Sequence, residues 1–266
     1  MVTAIPTHSG SGPKNTARNH DDHPAMTPST DKHVSSGKDL GWEVPGWTGA
    51  APPAPCPVEG RFCRIEPLRL DHAPDLHHAY LADTDGIVWD YLPYGPFDSL
   101  RDFTAFLTEA CLGSDPLFYA IVDLASGRAV GMASYLRIDP PNGVIEVGHI
   151  NYSPALQRTP AATEVMFLMM RQVFDAWGYR RYEWKCNDLN ERSKHAARRL
   201  GFTFEGVFRQ AVVSRGRNRD TAWFSILDSE WPAARAAFAS WLDEANFTDD
   251  GRQRAGLAAL RACGGR

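Results

Sequence analysis

The pattern that most constrains the fold is a succession of strand-like runs between residues 117 and 152. The runs LFYAIVD (117–123) and AVGMASYLRI (129–138) flank the turn-like segment LASGR, which together predict a β-hairpin. A third run, GVIEVGHINY (143–152), alternates in the same way. Residues 162–177 then place apolar side chains at helical spacing on one face. The region therefore predicts a β-sheet followed by a helix that packs against it.

The flanking segments extend this sheet into a mixed α/β domain. Before it, the sequence predicts a strand at 60–68 and helices within 69–83 and 99–112. After it, the predicted elements are a strand at 179–187, a helix at 190–200 ended by Gly201, a hairpin over 202–227 and a closing helix at 229–242. The order up to the hairpin is β-α-α-β-β-β-α-β-α-β-β. We expect a mixed sheet with helices on both faces.

The two ends of the chain differ in composition from its middle. Residues 1–40 are rich in Ser, Thr, His, Gly, Pro and Asp, with few aliphatic residues to offset the entropy of ordering, and are predicted to be disordered. Residues 41–57 carry Trp42, Val44, Trp47 and several prolines, which favours an extended arm along the domain. The domain itself is placed at 58–232. Residues 233–266 are assigned to a helical extension and tail.

Charge and cysteine content exclude several classes of protein. The net charge is −4 and no long Lys/Arg run is present, so we expect no nucleic-acid partner. The five cysteines form no CxxC pair and are odd in number, which argues against a disulfide framework or a zinc ribbon and favours the cytoplasm. No run reaches the roughly 20 apolar residues that cross a bilayer, so no membrane association is expected. No metal site is predicted.

Several motifs between residues 146 and 220 resemble one enzyme family. Glu146-Val147-Gly148 lies in the third of the strand-like runs, and the segment from Gln157 to Glu164 follows it as a loop and helix start. Later matches are Asn190, Ser193, Gly201, Phe202, Arg209 and Asp220. Together they resemble the RimJ/RimL-type branch of the GNAT superfamily of acyl-CoA-dependent N-acyltransferases, over roughly Pro57 to Pro232. One departure is Pro160, which stands where the family's pyrophosphate loop has its first glycine.

The resemblance implies a GNAT-like α/β (α+β) fold whose mostly antiparallel mixed sheet splays at the cofactor site. It also implies transfer of an acetyl group from acetyl-CoA to a primary amine, either a protein N-terminus or a small amine, by direct attack through a tetrahedral intermediate. The main chain of Ile150 and Tyr152 would then bind pantetheine. The other implied cofactor-binding residues are Gln157, Arg158, Thr159, Ala161, Ala162, Thr163, Asn190 and Ser193.

The proline is compatible with a phosphate-binding helix start. If Thr159 is the N-cap, Pro160 falls at the first helical position, where a missing N–H costs little. The amides of Ala161, Ala162 and Thr163 are then expected to point towards the pyrophosphate. The alternative is that TPAA is an ordinary helix start with no ligand.

Acyl transfer to an amine needs a base, a donor for the oxyanion and an acid for the departing thiolate. Under the resemblance, Glu146 is the candidate base, with Glu183 and His149 as weaker alternatives and an ion pair with a neighbouring Arg as its structural role. Glu146 and His149 reach the same face only if a bulge intervenes. Ser193 is the candidate acid, or else a capping or cofactor-contacting hydroxyl. Asn190 either binds a ligand or caps its helix.

The loop WDYLPYGPF (89–97) is expected to wall the acceptor side with Trp89, Tyr91 and Tyr94, or else to cover the core. Two other functions stay open. The chain could bind acyl-CoA without transferring it, or use another short acyl-CoA such as succinyl-CoA. It could also be an interaction protein that uses the Trp-bearing arm. A homodimer is left open.

Overall fold

A computed structural model of the protein describes residues 41–264. The predicted disordered segment 1–40 lies outside the described residues. The chain divides into two compact units, Met1–Trp47 and Thr48–Arg266. Within the described part of the first unit, Trp47 N donates to Val44 O at 3.3 Å and closes a turn. The second unit contains the described helices and strands.

The described strands form one mixed sheet. They are β1 (Val58–Glu59), β2 (Cys63–Pro67), β3 (Leu117–Asp123), β4 (Ala129–Asp139), β5 (Val144–Tyr152), β6 (Arg181–Asn187), β7 (Thr203–Ser214) and β8 (Arg217–Leu227). Their order in the sheet is β1-β2-β3-β4-β5-β6-β8-β7. Neighbouring strands are antiparallel except β5 and β6, which are parallel. The predicted mixed, mostly antiparallel sheet is confirmed, with the short β1 added.

The described helices connect and cover these strands. They are α1 (Ala73–Leu81), α2 (Leu100–Ala110), α3 (Pro160–Arg171), α4 (Glu191–Leu200), α5 (Trp231–Leu242) and α6 (Leu257–Gly264). Helix α3 continues through one π-helical turn, Gln172–Ala176. Ser99 caps α2 by accepting from Asp102 N, and Gly201 ends α4 in the left-handed conformation with φ 108°. Both of these local predictions are confirmed.

Alternation along the strands builds a core on each side of the sheet. On the face covered by α3, α4 and α5, called the α3 face, Tyr119 and Tyr135 pack with Met169. On the opposite face, called the α1 face, Phe118 packs with residues of α1 and α2 such as Leu76 and Phe103. Neighbours in sequence therefore serve different cores, as period-two alternation predicts.

Helix α5 is part of the α3-face core. Phe238 and Trp241 are fully buried, and the Phe238 ring stacks on Phe167 of α3 at 5.4 Å. The sequence-based boundary at residue 232 therefore falls inside a core helix. Apolar residues at 234, 237, 238, 241 and 242 explain the packing, because they form one face of the helix.

One buried carboxylate fixes α3 to the edge of the sheet. Glu164 accepts backbone N–H bonds from Arg61 at 2.6 Å, Phe62 at 2.6 Å and Cys63 at 2.9 Å. A Cβ at Gly60 would lie 2.4 Å from the Glu164 carboxyl carbon, so this turn needs glycine. The start of α3 is thereby held at a defined position above the sheet.

The arm from Thr48 onward follows the domain. Ala50 N donates to Pro140 O and Ala51 N to Trp177 O, both at 2.9 Å. Further along, Gln172 Nε2 donates to Cys56 O at 3.4 Å. Across the described range 41–264, helices are too short or too polar to cross a bilayer.

Candidate active site

The two parallel strands β5 and β6 separate in the middle of the sheet. They pair from Val144 with Arg181 to Val147 with Trp184, and the pairing ends there. On its other side, β5 pairs with β4 through a register shift, and His149 opposite this shift has φ 49°. We call the opening between residues 148–152 and 185–187 the splay. It leaves a stretch of main chain in β5 beyond its β6 partner.

Ile150 and Tyr152, the predicted main-chain binding residues, both lie in this stretch. Gln157, also predicted to bind the cofactor, folds back towards it. Its Nε2 donates to Tyr152 O at 2.8 Å. One of the predicted acceptors for pantetheine is therefore already engaged by a side chain of the following loop.

The loop leads into α3 as the sequence predicts. Thr159 is the N-cap, and Pro160 occupies the first helical position. The Thr159 hydroxyl accepts from Ala162 N at 3.2 Å and donates to Leu156 O at 2.7 Å. Arg158, just before the cap, is exposed and has φ 62°.

The expectation that three amides of this helix start are unengaged was wrong for Ala162. Its N–H is taken by the Thr159 hydroxyl. Thr163 is the fourth helical residue, and the amide at that position ordinarily donates to the N-cap carbonyl. Ala161 belongs to the first turn, where N–H groups have no partner within the helix. The anion-binding capacity therefore centres on Ala161 and on Arg158 beside it.

Ser193 lies at the start of α4, on the α3 face of the splay. Asn190 caps this helix by accepting from Ser193 N at 3.1 Å, so its capping role is observed. The indole of Trp184 donates to Ser193 Oγ at 2.9 Å. Because that oxygen already accepts a hydrogen bond from the indole N–H, its own O–H is directed to another acceptor.

Cys186 adjoins Ser193 and is buried. Burial raises the pKa of its thiol, while the Ser193 hydroxyl opposes that shift through a hydrogen bond. A thiol with a raised pKa stays protonated at neutral pH and is a poor nucleophile. Cys186 is therefore a buried residue and not a nucleophile.

Glu146 lies on the α1 face in a buried ion-pair network. Lys185 Nζ is 2.9 Å from Glu146 Oε2 and 2.7 Å from Glu183 Oε2. Arg137 also forms an ion pair with Glu146. The structural role that the sequence left open, an ion pair with a neighbouring Arg, is therefore present.

The network continues away from the splay. Arg181 donates to Glu183 at 2.7 Å and to both oxygens of Glu205 at 2.7 and 2.6 Å. Lys185 Nζ also lies 3.7 Å from the centre of the Trp223 ring. The network contains three carboxylates and three cations, so its formal charges cancel: Glu146, Glu183, Glu205, Arg137, Arg181 and Lys185.

Sequence analysis missed this network, although β6 carries a signal for it. In RYEWKCN, charged residues at 181, 183 and 185 alternate with Tyr182, Trp184 and Cys186. Such alternation in a central strand requires the charges to share one buried face. Buried charges must be paired, so a network was foreseeable there.

The bulge brings His149 to the same face as Glu146. Its ring stacks on Tyr94 at 5.6 Å, and Nδ1 lies 3.1 Å from the Tyr94 hydroxyl. Phe118 of the α1-face core packs against it at 5.1 Å. Burial, and then the charges of Arg137 and Arg219, lower the pKa of His149 to about 4. The imidazole is therefore neutral at pH 7.

The loop 89–97 divides its aromatic residues between two roles. Trp89 is only 4% exposed and packs edge-on against Tyr80 at 5.0 Å, so it covers the core and does not line the acceptor side. Tyr94 contacts His149, and Tyr91 is exposed with its hydroxyl donating to Leu189 O at 3.2 Å.

The tip of the β7–β8 hairpin closes over this loop. Arg215 donates to Tyr94 O at 2.6 Å and also to Gly95 O. Together with the Tyr91 contact, this ties the loop to two other elements near the splay. The acceptor side is thus bounded by the β5 bulge, the loop and the hairpin.

Comparison with known proteins places these features in a family context. The family model described as an acetyltransferase (GNAT) domain matches residues 63–203. A GCN5-related N-acetyltransferase from Brucella melitensis is 45% identical, with a TM-score of 0.81 over 82% of this chain and 100% of that one. A probable GNAT-family acetyltransferase from Chromobacterium violaceum is 38% identical, with a TM-score of 0.67 over 79% of this chain and 100% of that one.

A more distant structure shares the fold alone. The microcin C7 self-immunity acetyltransferase MccE is 20% identical, with a TM-score of 0.56 over 63% of this chain and 93% of that one. That protein was solved in complex with acetyl-CoA and AMP.

Proposed function

The chain belongs to the GNAT acetyltransferase family, and from this we propose that it moves an acetyl group directly to a primary amine, either a protein N-terminus or a small amine. It is an acyltransferase, and acetyl-CoA is its cosubstrate. Assignment to the RimJ/RimL-type branch rests on the spacing of Asn190 and Ser193 and on Arg209 and Asp220 in the closing hairpin.

The observation that carries this proposal is the division of reactive groups by the splay. Ser193 and the start of α3 belong to one face of the sheet, while Glu146 and His149 belong to the other. A thioester that passes through the opening would have a proton donor on the cofactor side and a carboxylate on the acceptor side. This arrangement allows direct transfer with no acyl-enzyme.

Glu146 is the proposed base for the attacking amine. A protein α-amine ordinarily has a pKa of about 7.7–8.0, so a substantial part is already deprotonated at neutral pH. The carboxylate would take the proton that the amine loses on attack. Lys185 and Arg137 hold it in a fixed position through their ion pairs. The oxyanion of the tetrahedral intermediate would be stabilised by main-chain N–H groups of β5 within the splay.

Ser193 is the proposed acid for the departing sulfur. The indole N–H of Trp184 fixes the orientation of the hydroxyl oxygen and leaves its proton to be donated. A free thiol such as that of CoA ordinarily has a pKa of about 8.5, so protonation of the thiolate helps at neutral pH and matters less above it.

The test is an amine panel with thiol-release detection, preceded by a thermal-shift measurement with acetyl-CoA, CoA and ATP. Ligands that bind the native state raise the melting temperature. We expect shifts with both CoA ligands and thiol release with at least one amine; a succinyl-CoA arm decides the acyl group. Binding without release from any amine would favour the acyl-CoA-binding alternative. The absence of a shift in melting temperature at millimolar CoA ligand would mean that the cofactor does not bind at this site.

A further inference from the structure

Three polar side chains on β8 each have one buried atom that makes no hydrogen bond within the described part of the chain. Arg219 Nε, Thr221 Oγ1 and Trp223 Nε1 are all buried and make no hydrogen bond among the described residues. They occupy alternate positions of one strand and therefore share one face. Thr221 is 5% exposed, so its hydroxyl is shielded from bulk water. Leaving buried polar atoms unpaired costs free energy that a ligand can recover.

This row of three side chains lies on the α1 face of the sheet, on which the amine acceptor is proposed to bind. Trp223 stands beneath the Lys185 ammonium of the ion-pair network, and Thr221 pairs with Asn187 at the end of β6. Arg219 continues two residues further along β8, past the last β6 residue and beside the splay. Its charge acts on Glu146, and together with Arg137 it lowers the pKa of His149. The guanidinium therefore lies on the same face of the sheet as the proposed base and within electrostatic range of it.

Arg219 is also a surplus cation at this point. The neighbouring network is already neutral, with each of its cations paired to a carboxylate. Among residues 41–264, no ion pair to Arg219 is formed. Arg215 closes the hairpin tip, so the surroundings contain one further positive charge. An amine acceptor that has no acidic group would leave the positive charge of Arg219 without a counterion.

We propose that the amine acceptor carries an oxyanion group, a carboxylate or a phosphate, which Arg219 binds at the acceptor end of the splay. The inference rests on the proposed function and narrows its acceptor. A guanidinium has five donors and no acceptor, and its planar fork matches the two oxygens of such a group. The Thr221 hydroxyl provides a neutral donor two residues along the strand. A protein N-terminus without a nearby acidic group fits this arrangement less well than a small acidic amine.

Matched pairs of acceptors test the proposal. Phenylalanine against phenylalaninamide removes the carboxylate, and phosphoethanolamine against ethanolamine removes the phosphate. Because the amine pKa differs within each pair, kcat/KM is compared per deprotonated amine. For the wild-type chain we expect kcat/KM to favour the acidic member of at least one pair by roughly 10- to 100-fold, mainly through KM. Which pair shows the preference decides between carboxylate and phosphate.

Three variants then test whether Arg219 causes the preference for acidic acceptors. Arg219→Gln should abolish the preference, measured as the ratio of kcat/KM between the two members of a pair, and Arg219→Lys should restore part of it. Arg217→Gln, an exposed arginine on the same strand, is the matched control and should keep the full preference. If Arg219→Gln does not fold, inhibition of the wild-type chain by phenylpropionate or ethyl phosphate, each competitive with the amine, replaces it.

Different experimental results would overturn the role of Arg219 and the proposed acetyltransferase function. Transfer that shows no preference for acidic amines, or a preference that survives Arg219→Gln, would overturn the role of Arg219 and leave the acetyltransferase proposal intact. No thiol release from any amine of the full panel, peptide N-termini included, despite bound acetyl-CoA, would overturn both.

Discussion

At the scale of single residues, Glu146 is both a partner in buried ion pairs and the proposed base. Its carboxylate is buried between Arg137 and Lys185, which fixes its orientation on the acceptor face. Such pairing does not by itself identify a base, because buried carboxylates are paired for stability as well. The chemical role must therefore be separated from the ion pair by comparison with a second carboxylate of the same network.

We expect Glu146→Gln to lower turnover by about 10²–10⁴-fold, with part of the loss recovered at higher pH, where more of the amine is deprotonated. Glu183→Gln is the matched control, because it removes another carboxylate bound to Lys185 and should cost comparable stability. Steady-state rates at pH 7 and 9, with melting temperatures of both variants, give the comparison. Full turnover by Glu146→Gln at neutral pH would shift the base assignment to Glu183 or a bound water.

Ser193→Ala should have a smaller and pH-dependent effect. We expect turnover to fall about 10-fold at pH 7 and to approach the wild-type value near pH 9.5, because a CoA thiolate leaves unaided above its pKa of roughly 8.5. Acetyl-CoA affinity should stay within about threefold, as measured by calorimetry. A loss of the same size at every pH would instead indicate that Ser193 only positions the cofactor.

At the scale of elements, the start of α3 is the feature most open to test. Glu164 anchors the helix to the β1–β2 turn, and Ala161 is buried at its N-terminus, so a charge at position 161 would disturb folding as well as binding. Arg158 is exposed and lies just outside the cap. It therefore allows the electrostatic contribution to be changed without burying a new charge.

Arg158→Glu should weaken acetyl-CoA binding by about 10-fold or more, since it replaces an attraction to the pyrophosphate by a repulsion. Arg171→Glu, at the other end of the same helix and also exposed, should change the affinity by less than about twofold. Calorimetric titration at low and moderate salt measures both. Equal effects of the two variants would mean that the pyrophosphate does not lie at this helix start.

The loop between β2 and α1 is held by a second carboxylate cluster. Burial opposes ionisation of Glu66, but hydrogen bonds from Arg64, His72 and Arg69 outweigh it and lower its pKa from 4.5 to about 2. Because the folded-state pKa is the lower one, the cluster stabilises the protein above pH 4.5. That contribution is lost as the pH falls towards 2.

Glu66→Gln should therefore reduce the free energy of unfolding by up to about 3 kcal/mol at pH 7. The difference from wild type should shrink between pH 4.5 and pH 2. Urea unfolding at pH 7, 4 and 2.5 checks this, with the exposed Glu109→Gln as a control that should stay near wild type throughout. A difference independent of pH would mean that the lost stability comes from packing and not from charge.

Most elements could be predicted because their signals are local. The caps Ser99 and Thr159 and the terminator Gly201 act on residues within one helical turn, and strand alternation is visible in any short window. The resemblance implied a splay in this strand, but the position of the bulge at His149 could not be predicted from local sequence, since a left-handed non-glycine residue has no distinct sequence pattern. The short β1 was missed because it depends on a distant partner, whereas the helix α5 was predicted from its own apolar face.

At the scale of the whole molecule, the site is assembled from contacts between residues that are far apart in sequence. Local sequence patterns do not predict such contacts. His149 meets Tyr94 across 55 residues, and Arg215 meets Tyr94 across 121. The candidate residues Glu146 and Ser193 were found through the resemblance, whereas Arg137, Lys185 and Arg219 became visible only once the strands were placed side by side. Of the two roles left open for Trp89, acceptor wall and core cover, its burial supports the second.

In the proposed mechanism, the sheet separates the side from which acetyl-CoA enters from the side on which the amine binds. Strands β5 and β6 are parallel neighbours that part after Val147 and Trp184, with the α3 face on one side of the opening and the α1 face on the other. The proposed chemistry requires the cofactor to enter from the α3 face and the amine to meet it from the α1 face.

A crystal structure of the protein with bound CoA tests this division most directly. We expect the pyrophosphate at the start of α3 beside Arg158, pantetheine along Ile150 and Tyr152, and the sulfur within about 3.5 Å of Ser193 Oγ. The Glu146 carboxylate should then face the sulfur from the opposite side of the splay. CoA bound away from the gap between β5 and β6, or with its sulfur on the α1 face away from Ser193, would contradict the proposed mechanism.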